Sequence, residues 1–475
     1  MGLWAGRRSR AVHKSTGRFL SLGAASFAAF VGVAPLSVQI ESLFTAALGL
    51  QAPWQVFKVD LDTAKGRIDF EVVSTAKRLT CPSCDAVDQG VHDRIRREWR
   101  HLDFFQFEAW LHADLPRVGC SACGKTTQVP VPWAREGSGF TLLFEAFALT
   151  MCQGLPVRQA AQMLRVRDKQ IWGRIEHYVT EARRKQDMSR VTWIGIDETS
   201  LRKGQQYVTV VHDLDAKRLL FATPGKDHKT VEEFAVDLEA HGGARTAIAH
   251  ACMDMSAAFL KGATLSLPKA LISYDRFHIV ALAGEAMDEV RVAEWKTESV
   301  RVQEELGHLS AKERRSIMWG MRRNPDGWSR VQINAMHWLQ RANLKTARAW
   351  RLKMALRAVF ANAREHNQSE LAAADLRGWI SWARRSRLDS FKRLATTLKK
   401  HFDAVVRGML DHRSNAFVEA MNGLMQQAKR AARGFRTATN FINIAYLRLS
   451  KLTHLPASPF APAAPRSTGR AFRAA

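Results

Sequence analysis

Two C-x-x-C pairs, Cys81/Cys84 and Cys120/Cys123, constrain this chain more than any other feature. Each pair can turn as a knuckle that offers two thiolates to one ion, and two knuckles complete a tetrahedral four-cysteine zinc site. The 35 residues between the knuckles exceed the gap of a compact ribbon, so a β-hairpin is expected to fill it. Such a site is structural, because four sulfurs leave no open position for a water. The alternative is four buried free thiols. Cys152 and Cys252 stand alone in apolar segments. Few cysteines in so long a chain fit metal ligation in a reducing compartment rather than a disulfide scaffold.

The zinc module sits in a β-patterned region. "IESLFTAALGL" reads as a short helix, and "WQVFKVDLDTAKGRIDFEVVS" alternates around a Lys-Gly turn as a hairpin. In "DFFQFEAWLHADL", Phe105, Phe107, Ala109, Leu111 and Ala113 are expected on one face of a strand. The prolines of "VPVPWAREG" mark a linker. The period then turns helical, and "PVRQAAQMLRVRDKQIWGRIEHYV" suggests two helices joined at Arg165-Val166-Arg167, with Asp168 placed to cap the second. That second helix carries Lys169, Gln170, Trp172, Arg174 and His177, groups able to reach phosphates or base edges in a major groove. Any helical pair in a core can look the same, so charge has to decide. Lys plus Arg number 71 against 45 Asp plus Glu, a net charge of +26. That excess calls for a polyanionic partner. No basic amphipathic anchor points to a membrane, which leaves nucleic acid.

From residue 191 to about 273, strands alternate with helices. "TWIGIDE", "QQYVTVVHDL" and "KRLLFATPG" read as strands, "TVEEFAVDLEAHG" as a helix and "IAHACMDMS" as a buried strand. Hairpin-linked strands followed by crossover strands give a mixed sheet flanked by helices. Asp197 and Asp254 each end an apolar strand, and two such carboxylates side by side suit hard cations. Two-metal phosphoryl transfer needs a further acid. The candidate is Glu419 in "HRSNAFVEAMNGLMQQAKR", a helical stretch that Ser414 or Asn415 could cap. No acid follows Glu419, while nine Lys or Arg do, among them Lys429, Arg430, Arg433 and Arg436. The bland reading is two strand-end caps and a surface glutamate. Glu198, next to Asp197, is expected on the opposite face of its strand.

"GIDETSLRKGQQYVTVVHDL", "MDMSAAF", "YDRFHIV" and "SNAFVEAMNGLMQQAKRAARGFRTATNF" together resemble the insertion-sequence transposases of the ISL-three (ISL3) family. The likeness runs from about Ile40 to His454. It implies a bacterial DDE enzyme with a ribonuclease-H-like α/β catalytic domain, interrupted by a large helical insertion and preceded by a zinc module and a helix-turn-helix. The 164 residues between Asp254 and Glu419 leave room for that insertion. The resemblance implies Asp197, Asp254 and Glu419 as the metal-binding triad, holding Mg²⁺ (or Mn²⁺), with Asp275 and His278 of the "DRFH" motif positioning DNA. It further implies double-stranded DNA as partner, both terminal inverted repeats and target. A homodimer or higher synaptic assembly and a cytoplasmic, nucleoid-associated location are expected with it. Lys169, Gln170, Arg174, Lys429, Arg430, Arg433 and Arg436 are the expected DNA contacts. A non-catalytic zinc and helix-turn-helix regulator is the competing class, and a nuclease that cuts without joining is a third.

The expected domains are a zinc-binding module at 39–134, a helix-turn-helix at 135–188, and a first catalytic segment at 189–275. A helical insertion at 276–407 and a catalytic helix region at 408–455 follow. Residues 1–38 have a basic lead and a weakly apolar stretch. They are read as a disordered extension or as residues ahead of the true start, in preference to an export signal. The Pro/Ala/Arg-rich tail at 456–475 is read as disordered. The tryptophans of the insertion (319, 328, 338, 350, 379 and 382) are expected mainly in its core.

Overall fold

The computed structural model describes residues 39–202, 206–410 and 416–459, so the expectations for the N-terminal extension, most of the tail and the caps Ser414 and Asn415 lie outside the described residues. The chain divides into two compact units. One runs to Glu98 and adds Phe104–Pro130; the other comprises Trp99–Asp103 and everything from Val131.

The first unit begins with α1 (Ile40–Ala47) and continues as β1 (Trp54–Asp62), β2 (Arg67–Ser74), β3 (Gly90–Arg100), β4 (Glu108–Gly119) and β5 (Thr126–Gln128). The sheet order is β1-β2-β4-β3, with β5 on β4. β1 and β2 form the expected antiparallel hairpin, turned at Gly66 with φ +64°. The long gap between the knuckles holds β3 and β4 side by side, as the spacing predicts. Ala109, Leu111 and Ala113 are buried on one face of β4. Phe105 is a correction: it is 81% exposed, in a turn with φ +53°. Reciprocal 3.0 Å backbone hydrogen bonds between Phe104 and Phe107 close that turn, so the strand starts only at Glu108.

The second unit opens with α2 (Leu142–Gly154), α3 (Val157–Met163) and α4 (Asp168–Arg184). Thr141 caps α2 by accepting from the Phe144 amide. Asp168 is the first residue of α4 rather than its cap. The Arg167 amide instead donates to Gln170 Oε1 at 3.0 Å. A five-stranded mixed sheet follows: β6 (Trp193–Arg202), β7 (Gln206–Asp213), β8 (Arg218–Pro224), β9 (His250–Met253) and β10 (Leu271–Tyr274). Its order is β10-β9-β6-β7-β8, with β6-β7-β8 antiparallel and β6-β9-β10 parallel. The crossovers carry α5 (His228–Ala240) and α6 (Ala257–Ser266).

Both faces of this sheet are covered. Ile194, Ile196 and Val211 meet Val231, Phe234 and Phe259 of α5 and α6, and that core runs on into the insertion. Leu201, Val208, Val210 and Leu219 meet Ile171 and Ile175 of α4 and Phe441 and Ile444 of the last helix. The two helices α3 and α4 therefore share a hydrophobic core with this mixed sheet. The insertion is helical: α7 (Arg276–Thr297), α8 (Ser299–Leu306), α9 (Ala311–Arg322), α10 (Arg330–Arg341), α11 (Lys345–His366), α12 (Ser369–Arg385), α13 (Asp389–Lys400) and α14 (Phe402–Leu410). Two more helices close the unit, α15 (Ala416–Ala431) and α16 (Ala438–Leu449). Gly408 lets α14 lie directly on β10, since a Cβ there would stand 2.0 Å from the Tyr274 carbonyl oxygen. The insertion's tryptophans divide: Trp350 and Trp379 are buried, while Trp319, Trp338 and Trp382 are exposed.

Candidate functional site

In the first unit the four cysteines converge, with Sγ atoms all within 4.8 Å of one another. Cys81 and Cys123 are 3.9 Å apart and Cys84 and Cys120 3.6 Å. Ligands at about 2.3 Å from a tetrahedral zinc stand about 3.8 Å from each other, so the donor set fits Zn²⁺. The Cys123 amide points at the Cys120 sulfur from 3.5 Å, and backbone N–H groups hold that thiol down at about 7. Backbone donors favour the thiolate a metal needs.

In the second unit the register of the parallel strands builds the site. Gly195 pairs with Cys252, so two further steps along β6 set Asp197 level with Asp254. Met253 pairs with Tyr274, so one further step sets Asp254 level with Asp275. Three aspartates are thus level across adjacent strands. Asp254 and Asp275 directly follow the carboxyl ends of β9 and β10, where open α/β sheets present ligand sites. Asp197 instead lies inside β6, which runs on to Arg202 in its pairing with β7, a correction to the expectation that Asp197 ends its strand. Asp197 is buried, and burial pushes its carboxyl up to about 6, with Asp254 and Asp275 adding to the rise. Asp275 caps α7, accepting from the Phe277 amide at 3.2 Å. One turn into α7, His278 presents Nε2 at 3.8 Å from Asp275 Oδ2 and 4.0 Å from Asp197 Oδ1.

Glu419 lies in the first turn of α15. Its carboxyl is raised by burial and then by Asp275, and lowered by His278, which ties it electrostatically to the same cluster. α15 lies along β6 through one polar stripe. Asn422 Nδ2 donates to Asp197 Oδ2 at 2.7 Å, and Gln426 Nε2 to Thr199 Oγ1 at 2.7 Å and the Ser200 carbonyl at 2.9 Å. Lys429 Nζ reaches the same carbonyl at 2.6 Å. Asn422 and Gln426 escape sequence reading. Their one signal is the i, i+3, i+7, i+10 spacing from Glu419, which acquires meaning only when β6 is known to lie beneath it. Asn422 Oδ1 is buried with no hydrogen-bond partner among the described residues, which leaves this amide an acceptor to offer. Glu198 is half-buried, its carboxyl raised by burial and drawn back by Lys226 at 4.0 Å.

Clustered acids whose ionisation is suppressed by burial and mutual repulsion fit divalent cations, which would relieve both. Among the described residues no three of these side chains converge as tightly as the cysteines do.

The expected DNA contacts are placed unevenly. Lys169 is exposed and Gln170 is occupied at the helix start. Arg174 turns inward, its Nε 3.0 Å from Oε1 of the fully buried Glu145. Tyr178, Ser138 and Arg135 also donate to that carboxylate and, against the upward push of burial, hold its titration low. Trp172 packs edge-on against Phe435 and His177 against Tyr178. Arg158 and Arg167 stay exposed beside Lys169. Arg430, Arg433 and Arg436 are exposed, and the Arg436 carbonyl accepts from Arg202 at 2.7 Å. No helix among the described residues is long and apolar enough to cross a membrane.

This architecture matches known families segment by segment. A transposase family model covers residues 194–445, the helix-turn-helix domain of transposase family ISL3 covers 129–179, and the zinc-finger of transposases IS204/IS1001/IS1096/IS1165 covers 77–123. The transposase for insertion sequence element IS1557 of Mycobacterium tuberculosis is 30% identical over 381 residues, 76% of this chain and 83% of that protein. The transposase for IS1001 of Bordetella parapertussis is 25% identical over 393 residues, 82% of this chain and 94% of its own. The fold, the zinc knuckles and these matches agree, and the chain belongs to the ISL3 family of transposases.

Proposed function

We propose that this transposase binds the terminal inverted repeats of its insertion sequence, cleaves at the element ends and transfers the freed 3′-OH strands to target DNA. The observation carrying the proposal is the level alignment of Asp197 within β6, Asp254 after β9 and Asp275 at the β10–α7 junction, with Glu419 in the first turn of α15, the helix that Asn422 ties to Asp197. A regulator with an idle sheet has no need to gather buried acids at a cost to its own stability. Asp197, Asp254 and Glu419 would hold the divalent ions, Mg²⁺ or Mn²⁺. Such ions, when bound, stabilise the attacking and leaving oxygens of an in-line phosphoryl displacement. Asn422 fixes one Asp197 oxygen and leaves the rest of the carboxylate for ligation. His278, between Asp197 and Asp275, is placed to orient the DNA backbone at the scissile phosphate. Lys169, with Arg158 and Arg167, offers cations for the repeat's phosphates, and Arg430, Arg433 and Arg436 offer them near the cleavage site. Two element ends must be paired, so a homodimer or larger synaptic assembly acting on chromosomal DNA follows.

Asp197→Asn, Asp254→Asn and Glu419→Gln should each abolish cleavage of the element's own ends while leaving end binding intact. A folded variant that keeps wild-type cleavage removes its residue from the triad. Joining of pre-cut ends to a second duplex separates a transposase from a nuclease.

A further inference from the structure

Away from the acid cluster, a groove of about 680 Å³ between α12, the end of α13 and the start of α14 carries charge of one sign. Arg377, Arg384, Arg385 and Lys399 line it with Ser381 and Phe402, and no carboxylate does. All four cations are exposed, and none has a carboxylate within 4.0 Å among the described residues. Their neighbours behave differently: on α13, Lys392 is paired with Asp389 at 3.0 Å and Arg393 with Glu289. Two groove cations are also held in place. The Arg377 guanidinium lies 5.1 Å over the Phe402 ring, and Arg385 donates to Ser381 Oγ at 2.7 Å. Like charges gathered, oriented and left unneutralised repel one another unless an anion lies between them.

α13 separates this groove from the acids. Ser390, Arg393, Leu394 and Thr397 line a cavity together with Asp254 and His278. Lys399, two residues past Thr397, projects about 200° further round the helix. The groove is therefore a separate surface from the cleft that holds the acids. Along α12, Arg377 and Arg384 are two turns apart, roughly 10 Å, a length over which a duplex presents about six phosphates.

We propose that this groove is a second DNA site, taking the phosphodiester backbone of a duplex segment other than the one at the acids. It rests on the reading of the chain as a DNA-joining enzyme, whose reaction brings two duplexes together. The occupant is either target DNA or the donor flank beyond the cut.

The test is residue-level footprinting of the full-length protein by amine- and guanidine-selective labelling, with and without saturating duplex, saturation being checked by anisotropy. Labelling of Lys399 and Arg384 should slow at least fivefold on adding DNA. In the Arg384→Glu/Arg385→Glu variant, with an unchanged melting profile, Lys399 should lose that protection while Lys169 keeps its own. Protection by a mixed-sequence duplex assigns target DNA; protection that requires an element end with its flank assigns the flank. Lys169 protected with Lys399 labelled at its free rate overturns this inference alone, and neither protected overturns the DNA-end reading as well. Lys399 protection that appears on raising protein concentration without DNA assigns the groove to a second copy and also overturns it.

Discussion

Asp197→Asn should make the metal-free protein more stable at neutral and alkaline pH while destroying its chemistry. Burial, with Asp254 and Asp275 beside it, lifts the Asp197 carboxyl from an ordinary 3.8 to about 6. A raised carboxyl favours the native state fully below the unfolded value and loses that contribution as pH rises through the folded value. Above pH 6 the native protein therefore carries the cost of a buried anion facing other acids. A displacement of this size corresponds to a ceiling of about 3 kcal/mol. The side chain is 8% exposed, so little solvent screening reduces the figure. Asparagine carries no charge and can still accept from Asn422, but it has one oxygen where the carboxylate uses two, for Asn422 and for the Glu198 amide. Losing one such bond costs about 1 kcal/mol, leaving a net gain of about 2 kcal/mol. For a unit this large the gain raises the melting temperature by roughly 3 °C at pH 8, whereas near pH 4, with the charge term gone, the lost hydrogen bond alone lowers it by roughly 1 °C. The assay is calorimetry across that range in buffer stripped of divalent ions by resin, since a soluble chelator would also attack the zinc centre. Adding Mg²⁺ at pH 8 should raise the wild type and not the variant. Equal melting of the two proteins at pH 8 without Mg²⁺, or a more stable wild type, would refute the argument that this cluster is strained until a cation arrives.

Further substitutions separate the parts of the molecule. Cys84→Ser should release the structural zinc and unfold the first unit, read as loss of bound zinc together with loss of protection from proteolysis in residues 54–128; retention of stoichiometric zinc would contradict the four-thiolate centre. Arg174→Ala should cost about 1–3 kcal/mol in a denaturant melt by taking one partner from buried Glu145, whereas Lys169→Ala should change stability by less than about 0.5 kcal/mol. The same Lys169→Ala should lower the salt slope of DNA binding by about one; a stable Arg174→Ala with a reduced slope would return Arg174 to the DNA surface. Asn422→Ala should raise the Mg²⁺ concentration at the midpoint of the thermal shift about 10- to 100-fold, with Asn422→Asp failing to restore it; an unchanged midpoint rejects Asn422 as the group that orients Asp197.

What could be read from the sequence and what could not follow from how locally each feature is encoded. The cysteine pairs and Asp254, which directly follows the apolar strand β9, carry their meaning within a few residues. Asp197 also follows an apolar run, but β6 continues past it to Arg202 because β7 pairs with it there, which the run alone does not show. β3 was hidden because "GVHDRIRREWR" places arginines where a half-buried strand would show apolar residues, as a charged edge strand can. The helix-turn-helix was legible as two helices and misleading in detail. Arg174 has the composition of a DNA contact, and nothing near it announces the acid it binds. Glu145 comes 29 residues earlier in an otherwise apolar helix, where a buried carboxylate demands cations from elsewhere in the fold. Asn422 is the extreme case, bonded to a residue 225 positions away. Before the fold is known it is one more amide on an amphipathic helix. Once α15 is seen lying on β6, Asn422 explains how a glutamate reached across a 164-residue interval can be held in register with Asp197. Its amide grips the carboxylate beside which Glu419 is proposed to act, and Gln426 and Lys429 continue the same grip for two further turns. The assembly of the site thus depends on a polar seam between helix and strand, and the chain's three catalytic candidates come together only if that seam forms.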